Sequence, residues 1–380
     1  MMQLPLWKPA QPALDRAALF ELMTELQTRG VRWLAEAGSG LSRKGGAGPS
    51  DHKAIKLAGQ VIMVPIHTSP ALSSPFAVRA ERGEAPTLYR GAQALMPIDV
   101  APVPRFYSGR TADGVPYWKI ATLHAADVLA STLLQKCVRY GNRAKSCQFC
   151  AIGQSLASGA TIAEKTPAQL AEVARAAVEL DGVKHAVLTT GTPPSDDRGA
   201  AALTRAAAAM TQAVALPVQA QCEPPADFGW FRRMKDAGVA TLGMHLEAVS
   251  EDVRRRIMPG KAEVPVSLYL EAFASAVEVF GRGQVTTYIL AGLGDSHAAI
   301  LAACEDVALL GVYPFVVPFV PIAGAPLAAH PPPTAASLAP LLVGVAEIVA
   351  RHGLASEQIA AGCGRCGACS TLRAAEARHA

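Results

Sequence analysis

Residues 128–153, "VLASTLLQKCVRYGNRAKSCQFCAIG", pass from an apolar run into a polar, arginine-bearing loop with three cysteines, Cys137, Cys147 and Cys150. A disulfide takes two thiols and a structural zinc site takes four ligands. Three close thiols match neither number, but they suit a metal cluster with one corner left open. "VLASTLLQKC" reads as a strand ending at Cys137, so the loop falls at a strand's C-terminal end.

Working outward from this loop, apolar β-type runs alternate with alanine-rich amphipathic helices. "TPAQLAEVARAAVEL" is a helix with Thr166 as N-cap and Pro167 at its first position. The strands "KHAVLTTGT", "LPVQAQCEP", "ATLGMHLEAV", "QVTTYILAGLG" and "YPFVVPFVPI" follow, each with a helical segment after it. Six β/α units in strict alternation predict a parallel sheet with helical crossovers. Near-continuous apolar strands fit a barrel buried on both faces, with chemistry at the C-terminal strand ends. The expected fold is therefore α/β: a partial (βα)6 TIM-type barrel over 126–353, an N-terminal α+β extension over 1–125 as a possible substrate cover, and a cysteine-rich C-terminal tail over 354–380.

In the extension, "LDRAALFELMTELQTRGVRWLAEA" reads as a helix, and "GQVIMVPIH" and "VPYWKIATL" as β-like segments. Between them "GSGLSRKGGAGPSDHK" is a glycine-rich polar loop, either a connector or a ligand loop; it lacks the G-x-x-x-x-G-K-[ST] spacing of a P-loop. The 380 residues are 51% hydrophobic and 17% charged, enough for a large core. A net charge of +4 with scattered basic residues gives no footprint of a nucleic-acid binder. No stretch is apolar and long enough to span a bilayer, and "MMQLPLWKPAQPALD" lacks the pattern of a signal peptide. Eight cysteines without an export signal point to a reducing cytoplasm, where thiols bind metals rather than pair.

When a [4Fe–4S] cluster is held by three cysteines, one iron lacks a protein ligand. Here the loop resembles the signature of the radical SAM superfamily, in which S-adenosylmethionine (SAM) chelates that iron. "CQFC" matches its ending, with Phe149 in the aromatic place, although the first spacing is C-x9-C where the family has C-x3-C. Lengthening a surface loop in this way adds about 1 kcal/mol of closure entropy and does not forbid a cluster. Downstream order resembles biotin synthase and lipoyl synthase. "LTTGTPPSDD", with Thr190, Gly191 and Thr192, occupies the place of the loop that holds the SAM amino group. "MHLEAVSEDVRRRIMPGK" resembles the fourth-strand segment, with His245 and Glu247 where polar residues bind the ribose; alternation would put both on one face. "ILAGLGDS", with Gly292 and Gly294, resembles the G-L-G-E turn, and "VPFVPIAGAPL" the sixth-strand segment. For Glu247, His245 and the run Arg254–Arg256 the structural alternatives are a helix-terminal charge, a core histidine and a solvated helix face.

Near the C-terminus "CGRCGAC" sets Cys363, Cys366 and Cys369 in a C-x2-C-x2-C nest, resembling the ligand run of an auxiliary [4Fe–4S] cluster, with zinc as the rival metal. Cys222 ends the third strand on the catalytic face, as an active-site thiol, a fourth cluster ligand or a packed residue. Cys304, in mid-helix, reads as a small buried hydrophobe. Across its length the chain resembles the radical SAM protein of bacterial gene clusters that encode a nitrilase and are linked to cyanide use. The resemblance implies an enzyme that cleaves SAM reductively to a 5′-deoxyadenosyl radical and takes hydrogen from a small-molecule substrate. It also implies an electron donor such as flavodoxin or ferredoxin. The competing reading is a non-catalytic iron–sulfur or zinc protein, an electron carrier or assembly partner.

Overall fold

Apolar runs and alanine-rich helices pair off as six β/α units. The computed structural model describes residues 14–34, 46–47, 51–80 and 85–378. In it, β1 (Val128–Thr132), β2 (His185–Thr189), β3 (Val218–Gln221), β4 (Val239–Gly243), β5 (Val285–Ala291) and β6 (Val312–Pro318) lie side by side in that order, all parallel. The helices α1 (Pro167–Asp181), α2 (Ala200–Ala213), α3 (Gly229–Asp236), α4 (Val266–Phe280), α5 (His297–Leu309) and α6 (Ala335–Arg351) follow the six strands in turn. The sheet is an open, partial barrel, edged beside β1 by the antiparallel strand Thr122–His124. β1 and β6 are buried along their whole length, because their inner faces meet a filled interior and their outer faces meet helices. Thr166 and Gln169 cap α1 reciprocally, with Pro167 at the first position. Cys304 is buried in the core, as its sequence context suggested.

Element ends differ from the sequence reading where the backbone finds other partners. β1 stops at Thr132 rather than Cys137. Leu133 N–H still bonds Thr189 O, but Gln135 N–H turns away to Ala163 O. β4 stops at Gly243, and the chain rejoins β5 only at an isolated bridge between Glu247 and Ile289. The N-terminal helix spans Arg16–Arg29 and is shorter than expected. Gly30, at φ 68°, closes it by donating to Leu26 O, and Arg32–Trp33 then pair with Ala77–Val78. Within "VPYWKIATL", Tyr117–Ile120 is a helical turn and only Thr122–His124 is strand. Most of the glycine-rich stretch 38–53 lies outside the described residues.

The N-terminal segment builds a four-stranded and a three-stranded sheet, and its side chains Leu26, Ile55 and Val78 share a core with Phe315 and Leu342 of the barrel side. The C-terminal tail fills the barrel. Thr241 Oγ1 donates to Ala361 O (3.1 Å), Gly362 N–H to His185 Nδ1 (3.1 Å), Cys363 N–H to Gln219 Oε1 (3.1 Å) and Ser370 Oγ to Val316 O (2.6 Å). Gly362 is forced at this crossing: a Cβ there would lie 2.1 Å from the Gln219 side chain, and φ is 93°. Ala368 O accepts from Met63 N–H and from Gln27 Nε2, so the tail joins the barrel to the N-terminal segment.

Candidate active site

A cavity of about 390 Å³ opens at the C-terminal ends of the strands. Cys137, Cys147, Phe149 and Cys150 form one side, Thr190, Gly191 and Thr192 the next, and Cys222, His245 and Glu247 a third. Cys363 and Cys369 from the tail line the same space, so the chamber joins the first cysteine group to two of the tail's three thiols. Gly46 and Ala47, the described part of the glycine-rich stretch, also reach its wall, and Ala47 N–H bonds Thr132 Oγ1 at 2.6 Å. Three of the residues named from sequence are not on this wall. Cys366 faces a separate cavity at the opposite end of the strands, beside Asp127 and His185. Gly292 and Gly294 form the turn after β5 with φ of 105° and 122°, packed against Pro333 and Arg256.

The cysteine loop is held by backbone bonds. Gly191 N–H donates to Leu134 O and Val138 N–H to Thr192 O, both at 2.8 Å, which lashes the β2 loop to the segment carrying Cys137. The insert between Cys137 and Cys147 is a tight turn in which Asn142 O accepts from both Lys145 N–H and Ser146 N–H. Gln148 N–H bonds Ile257 O, and Gly260 N–H bonds Lys145 O. The loop is thereby seated on the "IMPGK" segment. No side chain fits at Gly191, whose Cβ would sit 2.1 Å from the Lys136 carbonyl oxygen. Backbone must give way there, so Gly191→Ala should destabilise the protein by about 1–3 kcal/mol. We expect a lowered thermal midpoint together with loss of iron at the first cysteine group. A midpoint and iron content equal to wild type would show that the two loops are not coupled.

Two ion pairs line the chamber. Lys261 Nζ bonds Glu247 Oε2 at 2.8 Å. Burial pulls the Lys261 pKa down, but Glu247, then Tyr269, Glu223 and Cys147, outweigh it and raise the pKa, so the ammonium stays charged. Arg139 from the cysteine loop pairs with Glu223, which also accepts from Thr192 Oγ1 at 2.6 Å. Burial raises the Glu223 carboxyl, yet Lys261 and Arg139 prevail and hold it below the usual range. Glu247 sits at φ 64°, a left-handed position for a residue with a side chain, and is fixed by Glu247 N–H to Tyr288 O and Leu290 N–H to Glu247 O. His245 Nδ1 accepts from Tyr288 N–H at 3.2 Å. Burial and then Lys261 push its pKa down to about 3, so the imidazole is neutral. Arg254 is buried and donates to the carbonyls of Leu246, Ala248 and Val264, bracing the chain around Glu247, whereas Arg255 and Arg256 are exposed. Of the three arginines only Arg254 is buried, and Arg256 reaches Leu293 O from the surface. Lys261 and Glu223 were not singled out from the sequence. The one signal was their position in segments read for other residues.

All eight cysteines are free thiols. Burial raises the Cys147 thiol well above its usual value and Cys150 to about 11, with Glu247 and Cys137 adding to both. Cys222 is pushed up to about 12 by burial, then by Glu223 and Asp197, and is a neutral thiol. Thiols that burial makes this hard to ionise would give up their protons only beside a compensating cation, which a thiophilic metal centre provides. Among the described residues, no group of His, Cys, Asp and Glu converges to hold a single metal ion. A four-iron cluster takes each thiolate on a different iron, so its ligands need not converge on one point. Donor chemistry and the open wall beside Cys137, Cys147 and Cys150 fit such a cluster.

Residues 140–307 match the family model of the Radical SAM superfamily, a span that holds Cys147 and Cys150 and begins three residues after Cys137. The chain is 35% identical over 120 residues to bacteriochlorophyllide c C-7(1)-hydroxylase of Chlorobaculum limnaeum. That alignment covers 31% of this chain and 30% of the relative, so the chain spans under a third of that protein's length. Among solved structures, methylornithine synthase aligns over 64% of this chain and 67% of its own, at 15% identity and a TM-score of 0.46. A FeFe-hydrogenase maturase of Carboxydothermus hydrogenoformans aligns over 58% and 51%, at 17% identity and a TM-score of 0.44. No described helix is long and apolar enough to cross a membrane.

Proposed function

We infer that this chain, an enzyme with a radical SAM domain, holds a [4Fe–4S] cluster on Cys137, Cys147 and Cys150 and binds SAM in the chamber beside it. The observation that carries this is the convergence of the three-thiol loop, the Thr190–Thr192 loop, His245 and Glu247 on one cavity at the strand ends. When bound, the cluster supplies one electron to SAM, giving methionine and a 5′-deoxyadenosyl radical that takes hydrogen from a small-molecule substrate. Around it, Thr190–Thr192 present backbone groups for the SAM amino end, and Glu247 offers a carboxylate for ribose hydroxyls. Neutral His245 donates through its remaining ring N–H. Phe149 and the tail shut out water, which keeps the hydrogen-abstracting species from being quenched. Cys222, a neutral thiol on the same wall, stands where it can meet the substrate.

We further read Cys363, Cys366 and Cys369 as holding a second [4Fe–4S] cluster, supported by Gln221 Nε2 donating to Cys363 Sγ at 3.2 Å. An amide nitrogen only donates, so this sulfur is treated as an acceptor. The sequence resemblance also supports placing the enzyme in the nitrilase-containing gene clusters, in the cytoplasm, with flavodoxin or ferredoxin as electron donor. A pure electron carrier has no use for the Glu247–Lys261 pair or for a chamber beside the cluster. Equilibrium dialysis of SAM against the anaerobic protein tests the reading. Wild type should bind, and Glu247→Gln, which keeps the shape and removes the charge, should weaken binding by about tenfold or more. No SAM binding by wild type would return the protein to the carrier class.

A further inference from the structure

We propose that an apolar annex beside the chamber seats the substrate, an inference that rests on the radical SAM reading and names its substrate class. The occupant is a neutral small molecule whose body is about the size of one benzene ring, with an O–H or N–H that donates to Gln27. The annex is a cavity of about 210 Å³ where the ends of β5 and β6 meet the N-terminal segment. Met63, Phe149, Leu290, Val317 and Phe319 make its wall largely apolar. His124, Phe149, Leu290 and Cys369 line the chamber as well, so the two spaces share a wall. Phe149 stands between Cys147 and Cys150 in the chain, which sets the annex beside the first cysteine group.

Size and polarity select the occupant. An apolar cavity of about 150 Å³ is enough for benzene, so this one takes a ring with a short substituent. Among the described residues, no Lys, Arg, Asp or Glu lines the annex, and an unpaired charge would be costly to bury there. Gln27, only 2% exposed, supplies the polar contact. Its Nε2 donates to Ala368 O at 2.9 Å. A carbonyl oxygen only accepts, so the amide nitrogen belongs at Ala368 and Oε1 is the atom left over. That oxygen is buried with no hydrogen-bond partner, a cost that a donor on the ligand removes. His124 Nδ1 is a second buried, unpaired atom on the same wall, and it takes a donor or an acceptor according to the ring's tautomer.

The test titrates anaerobically reconstituted full-length protein by calorimetry with phenol and with toluene, two rings of similar size of which only phenol carries a donor. Both should bind wild type, with and without SAM. Val320→Phe and Ile322→Trp each enlarge a half-buried side chain on the annex wall. Either should weaken both rings by about tenfold or more, with SAM affinity and thermal midpoint as in wild type. Gln27→Leu and Gln27→Met remove the acceptor and should weaken phenol by about fivefold or more. Toluene should bind these two variants as it binds wild type, which shows that the annex is intact. The proposal is overturned if neither ring binds a wild type that binds SAM, if both filling variants keep the rings, or if the Gln27 variants hold phenol as well as wild type does. A wild type that binds both rings but not SAM would overturn the radical SAM reading, and with it the substrate's role, while leaving the annex a ring site.

Discussion

Alanine at Cys363, Cys366 and Cys369 together should lower the iron content of anaerobically reconstituted protein from about eight atoms per chain to about four. The reason is that the two thiol groups belong to different elements. Cys137, Cys147 and Cys150 are set by the loop after β1 and its bonds to Thr192, Ile257 and Gly260. The tail is set by Ala361, Gly362 and Ser370, which are tied to Thr241, His185 and Val316 without any sulfur. Removing three sulfur atoms therefore leaves the tail in the barrel and the first site intact. The spectrum of the remaining cluster and its perturbation by SAM should be those of wild type. Iron near four in wild type and unchanged by the triple substitution, with zinc alongside it that the substitution removes, would mean that the tail is a zinc site.

Cys150→Ala should abolish reductive SAM cleavage, lowering 5′-deoxyadenosine formation by more than about a hundredfold, beyond the range typical of changes behind a ligand. Cys150 lies in the turn closed by its own N–H to Cys147 O, and its neighbours Ala151 and Ile152 are buried. The substitution spares that backbone bond and these packing contacts, so the protein should fold with an unchanged thermal midpoint once iron is removed from both samples. Two thiolates remain, too few to hold a cluster that also offers one iron to SAM. Turnover equal to wild type would mean that the chemistry does not use this loop.

Much of the barrel was legible because each β/α unit carries its own local signals. Apolar runs mark strands buried on both faces, and Thr166, Pro167 and Thr334 mark helix starts. The three-thiol loop was legible from composition and position alone. Other features depend on residues far apart in the chain, which periodicity does not report. Arg139 meets Glu223 across 84 positions, and Cys369 meets His124 across 245. The tail's passage through the barrel is likewise written in single contacts, such as Gly362 against Gln219. Strand ends were misjudged where apolar residues continue past the last ladder bond, as in "LLQKC" after β1 and "MHLEAV" after β4. Even so, His245 and Glu247 reach one cavity, by a bend at φ 64° rather than by strand alternation.

The most direct measurement of the central claim is 5′-deoxyadenosine and methionine from the reconstituted wild-type enzyme given dithionite and SAM under anaerobic conditions. Both products should appear in roughly equal amounts, since one SAM yields one of each. An enzyme carrying its full complement of iron that binds SAM yet forms neither product would contradict the account.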